Sequence, residues 1–178
     1  MKKNNKTRIY ETVLAALLVA LKIILDRFFA YNVLSQRFGF SFIAVACAAA
    51  MLGAPWAMLV SGLGDLLGAI LFPSGPYFPG FTLTAVLTAA CTAFFIRKNA
   101  TLVKITLSVI INQVFGSVLL NSLWIALLYN KGWLALLPAR LTQAVVMTLL
   151  QISLTWLLFG SGSPVRNRLL RLLPAQST

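Results

Sequence analysis

The sequence predicts an all-α integral membrane protein: a six-transmembrane-helix bundle, N- and C-termini cytoplasmic, forming one domain over residues 1–178. Composition is the first reason. Sixty per cent of the residues (60%) are hydrophobic and only 10% charged, with a mean hydropathy of +0.89, which leaves too little charge to wet a soluble surface. The second is that apolar runs recur at the length a bilayer core demands. The third is where the basic residues fall. With the N-terminus inside, the cytoplasmic side collects Lys2, Lys3, Lys6, Arg8, Arg97, Lys98, Lys104, Arg166, Arg168 and Arg171. The outer side collects only Arg27, Arg37, Lys131 and Arg140, as the positive-inside bias requires. That bias, rather than a nucleic-acid partner, accounts for the net charge of +12.

The first helix is expected over about 9–30. Its basic leader and apolar run resemble a signal peptide, but the run is too long and no small-x-small cleavage site follows, so it reads as a first span. A short second helix covers about 38–52 and ends at Gly53-Ala54-Pro55. The third starts at that proline, which the first turn of a helix tolerates, and runs over 55–72. FPSGPYFPG is too rich in proline and glycine to be helical. The remaining helices are expected over 81–96, 102–129 and 139–159, and the tail SGSPVRNRLLRLLPAQST reads as a basic interfacial piece.

Against this apolar background the polar residues stand out. The chain has three acids, Glu11, Asp26 and Asp65, and the last lies inside MLVSGLGDLLGAIL. A carboxylate in hydrocarbon is costly and marks a functional site by default. On a helix its face is Ser61, Gly62, Gly68 and Ala69, all small. Such a face either packs closely on another helix or leaves room for a flat ligand; an ion pair with Lys22 or an outer arginine is the plainer alternative. Helix five carries a stripe of Gln113, Ser117, Asn121 and Trp124 at α-helical spacing, and helix six carries Arg140, Gln143, Met147 and Gln151. Each stripe alone fits interhelical hydrogen bonding; together with Asp65 they favour a polar cavity.

Lys22 and Asp26, four apart, form a structural pair with Arg27 competing. Arg37 and Arg140 sit near the outer mouth, where they meet an anionic ligand or snorkel to the interface. Ala16 and Ala20 on helix one, and Ala85, Ala89 and Ala93 on helix four, allow close approach of another helix. Cys47 and Cys91 lie among small apolar residues and read as packing. There is no histidine, no phosphate-cradling glycine loop followed by Lys-Ser/Thr, no HExxH and no GxSxG. No catalytic residue, metal or cofactor is therefore expected, nor hydrolysis of ATP by this chain itself.

Three blocks, QRFGFSFIAVACAAAMLGAPWAMLVSGLGDLLG, PYFPGFTLTA and LLNSLWIALLYNKGWLALLPARLTQ, resemble the substrate-binding S components of energy-coupling-factor transporters, and more closely their folate-specific branch. The resemblance implies a vitamin-binding subunit of a bacterial cell membrane, without catalytic activity of its own. It would take folate from outside and dock onto a transmembrane coupling protein driven by two ATPase subunits. Ala16 and Ala20 would belong to the sliding contact with that partner. Asp65 would accept from the pterin's amino-pyrimidinone edge, with Ser61 and Gly68 making room. Tyr77, Phe78, Phe81 and Trp124 would supply stacking faces, Arg37 and Arg140 would meet the glutamate carboxylates, and Gln113, Asn121 and Gln143 would contribute amides. The stretch QRFGF follows the family's arginine-then-aromatic pattern only loosely. FPSGPYFPGF reads either as a lid, closing together with residues 32–37, or as a rigid connector. The alternatives are an S component for another vitamin, or a self-sufficient small transporter using Asp65 as a proton or cation site.

Overall fold

The computed structural model describes residues 5–33, 36–73, 75–97, 100–129, 132–160 and 163. In chain order these form α1 (Asn5–Arg27), a two-stranded ribbon of β1 (Tyr31–Val33) and β2 (Gln36–Phe38), α2 (Phe42–Met51), α3 (Ala54–Leu71) and α4 (Pro79–Ile96). Then come α5 (Leu102–Ile111), a π-helical segment (Asn112–Asn121), α6 (Ser122–Tyr129) and α7 (Trp133–Phe159). The helix from Leu102 to Tyr129 is continuous, so the described residues make six helical rods, as the apolar runs predict.

Four rods are long and apolar enough to cross a membrane: Ala54–Leu71, Pro79–Ile96, Leu102–Tyr129 and Arg140–Phe159. The other two depart from the expectation of six equivalent spans. α2 has ten residues, about 15 Å of helix, half a hydrocarbon core. α1 is long enough but carries Glu11, Lys22 and Asp26 along its length. Residues 31–38 also differ from expectation: they pair antiparallel, Tyr31 with Phe38 and Val33 with Gln36, so α2 starts at Phe42 rather than near 38. α7 begins at Trp133, six residues earlier than expected, and contains Pro138. Pro138, the sixth residue, has no N–H to give to the ladder, yet the helix continues through it.

The α2–α3 turn depends on Gly53, whose φ of 89° is a conformation that side chains disfavour. Pro55 then sits in the first turn of α3, where its missing N–H costs nothing.

Small residues are inside and large apolar ones outside, the reverse of a soluble bundle. Ala48, Ala49, Ala57, Val60, Ala89 and Ala93 are buried where α2, α3 and α4 meet, whereas Ile70, Phe94, Val103, Val145 and Leu149 are exposed. This is the pattern of helices packed in lipid, and the architecture is that of a multi-pass membrane protein. A second apolar cluster of Ile96, Ile105, Val109 and Phe159 closes the end of the bundle where α4 and α7 finish and α5 begins.

Candidate binding cavity

A cavity of about 510 Å³ runs down the bundle between α1, α3, α4, the π segment and α7. Along α4 its wall extends from Phe81 to Ile96, about 22 Å at the rise of an α-helix. Its charged wall residues are Lys22, Asp26, Arg27, Asp65 and Arg140. All of them lie within about two helical turns of the end nearest the 72–78 loop. Beyond them the wall is uncharged, with Thr88, Thr92, Ser108, Asn112, Gln151 and Thr155 offering hydroxyls and amides.

Asp65 is half-buried in this wall. Thr82 Oγ1 donates to Asp65 Oδ2 at 2.7 Å, and the Tyr77 hydroxyl lies 2.7 Å from the same Thr82 oxygen. The glycines beside Asp65 make room for α1 rather than for the cavity. A Cβ on Gly64 would stand 2.6 Å from Lys22 Cδ, and one on Gly68 would stand 3.2 Å from Arg27 Nε. The stem of Lys22 is thereby buried, its relative exposure being 5%. Arg27 also faces Asp26 at 3.7 Å.

The π segment sets which side chains of the fifth rod face inward. Bonding of i to i+5 widens the turn, so residues four and five apart share a face. Asn112, Gly116, Ser117 and Asn121 all line the cavity, joined by Gln113. Gly116 permits the closest approach to α4, since a Cβ there would meet Thr88 Cγ2 at 2.6 Å. Asn112 Nδ2 donates to Thr92 Oγ1 at 2.8 Å, and the buried Oδ1 of Asn121 accepts no hydrogen bond from a described residue.

This register takes Trp124 off the stripe that α-helical spacing predicts. Its indole N–H donates to Thr84 Oγ1 at 3.0 Å, its ring covers Gly80, where a Cβ would stand 2.5 Å from Cδ2, and Phe78 packs on it at 5.4 Å between centroids. Phe78 and Trp124 thus hold the start of α4 against α6 and are absent from the cavity wall, as is Gly68.

Of the other residues picked out by sequence, Ser61, Tyr77, Phe81, Arg140 and Gln143 line the cavity. Ser61 also donates to the Ala85 carbonyl at 2.9 Å, stapling α3 to α4. Arg140 donates to Gln143 Oε1 at 3.2 Å, so the two act as one polar unit. Arg37 is paired through its backbone with Asn32 in the ribbon; its side chain lies outside the described residues. Ala16 and Ala20 are exposed on α1, away from the cavity.

Sequence reasoning passed over Thr82, Thr84, Thr88, Thr92, Asn112 and Thr155. The threonines at 84, 88 and 92 recur every fourth residue, a signal readable beside the alanine stripe one position on. Each hydroxyl bonds back to the carbonyl four residues earlier: Thr84 to Gly80, Thr88 to Thr84 and Thr92 to Thr88. These bonds satisfy the hydroxyl donors of this polar face within the helix itself.

The family model described as "ECF transporter, substrate-specific component" matches residues 11–159. The folate transporter FolT of Clostridium novyi (strain NT) is 38% identical over 95 residues, 53% of this chain and 55% of that protein. FolT of Leuconostoc mesenteroides is 37% identical over 78 residues, 43% of this chain and 41% of that protein. The chain thus matches about half the length of these curated relatives. Among solved structures, FolT bound with folic acid superposes with a TM-score of 0.77 at 30% identity, over 86% of this chain and 96% of that one. The chain belongs to the substrate-specific components of ECF transporters.

Proposed function

We propose that this chain is the folate-binding subunit of an ECF-type importer, non-catalytic in itself, which captures folate from outside the cell. The observation that carries the reading is the cavity: two acids, Asp26 and Asp65, and three cations, Lys22, Arg27 and Arg140, gathered at one end of a chamber otherwise walled by uncharged groups. Folate has a matching division of chemistry. Its pterin edge presents adjacent N–H donors suited to the Asp65 carboxylate, and its glutamate carries two carboxylates suited to Arg140 and the α1 cations. The likeness to FolT bound with folic acid supports the choice of ligand.

Family membership supports the partners: a transmembrane coupling protein and two ATPase subunits, met through the exposed small-residue face of α1 at Ala16 and Ala20. The basic residues support cytoplasmic termini. Thermal denaturation of the purified chain in detergent tests the ligand. Folic acid at about a hundredfold over its dissociation constant stabilises the fold by about 2.7 kcal/mol and raises the midpoint, whereas thiamine or biotin leaves it unchanged. An equal response to all three would remove folate from the site.

A further inference from the structure

Proton counting fixes the direction of the chain behind Asp65. A threonine hydroxyl has one proton to give. Thr82 gives it to Asp65 Oδ2, so the 2.7 Å contact with Tyr77 is donated by the phenol. The sequence of donors is therefore Tyr77 to Thr82 to Asp65, and it links the 72–78 loop, the first turn of α4 and the middle of α3. Among the described side chains Thr82 is the one that hydrogen-bonds the Asp65 carboxylate, and it does so at Oδ2; Asp65 itself lines the cavity.

The carboxylate needs such a tether. Lys22 and Arg27 cross α3 over Gly64 and Gly68, on either side of Asp65, and the carboxyl torsion of an aspartate is a soft, broad one. An untethered carboxylate would be drawn toward the α1 cations. Thr82 holds it from the opposite helix with a bond of 2.7 Å, within the charge-assisted O–H···O⁻ range.

We propose that Thr82 is a positioning residue for ligand capture: it fixes the Asp65 carboxylate so that Oδ1 stays an open acceptor for a ligand N–H, with Tyr77 anchoring the relay at the loop. The inference rests on the folate-binding reading of Asp65. Tyr77 then acts through its hydroxyl, not its ring face.

The test is a folate titration of the whole chain carrying Thr82→Val, Thr82→Ser, Asp65→Asn, or Thr82→Val with Asp65→Asn. Thr82→Val is expected to weaken binding about tenfold, the worth of one charge-assisted bond, and Thr82→Ser to restore it. The double variant should bind no more weakly than Asp65→Asn alone, because Thr82 acts only through the carboxylate. Wild-type affinity in Thr82→Val, or losses that add in the double variant, would overturn the proposal. The same four proteins without ligand give an independent reading through their melting midpoints. Non-additive shifts uphold the relay even if the wild-type chain takes no folate, in which case the vitamin and not the relay is discarded; additive shifts overturn the relay.

Discussion

Asp65 reads as an anomaly in the sequence and as a supported acceptor in the structure, bonded to Thr82 and flanked by glycines that admit the α1 cations. Its neutral isostere tests the ligand role without changing volume. Asp65→Asn is expected to lower folate affinity about tenfold or more, since a charged acceptor is worth more than a neutral one, while the protein remains folded. Gly80 makes a separate prediction. An added methyl would stand 2.5 Å from the Trp124 ring and 2.7 Å from the Phe78 ring, both rigid groups with no slack to give. Gly80→Ala should therefore cost about 1–3 kcal/mol of stability, the usual range for overpacking, measured by thermal denaturation. The choice of Asp65, Arg140 and Gln143 was legible because a charge or amide is conspicuous in an apolar run. Thr82 was not, because a threonine is unremarkable in a membrane helix until its partner is known.

At the scale of elements, apolar runs gave the six rods but not their internal geometry. NQVFGSVLLN is more polar than the helices on either side, but polarity does not distinguish a π turn from an α turn, and only the backbone decides whether its turns are tight or wide. That decision moves Asn112 and Gly116 onto the cavity wall and Trp124 off it. The ribbon at Tyr31–Phe38 escaped notice because strands of three residues are too short to show an alternation. The last helix is expected from 139, yet it begins at Trp133, about a turn and a half before Pro138. The position of Trp124 gives a discriminating prediction. Trp124→Phe keeps an aromatic face but loses the N–H donated to Thr84, so stability should fall by about 1 kcal/mol while folate affinity stays near the wild-type value. A large loss of affinity with unchanged stability would return Trp124 to the ligand site.

On the proposed reading, the whole molecule divides its surface between lipid, ligand and partner. Large aliphatic residues face outward on the long rods, polar groups line the chamber, and α1 turns Ala16 and Ala20 away from it. Binding and transport should accordingly be separable. Ala16→Trp, on the exposed face of α1, is expected to abolish folate uptake by cells supplying the coupling protein and ATPases, and to leave folate binding by the isolated chain intact. Loss of binding in that variant would place the α1 face in the ligand site instead of the partner contact.

The central claim is that the chamber itself recognises folate before any partner or ATP is involved. The measurement that tests it most directly is a calorimetric titration of folate into the purified, monodisperse chain in detergent without ATP. One-to-one saturable binding, weakened by Asp65→Asn, is the predicted result. Absence of binding by a folded sample would contradict it.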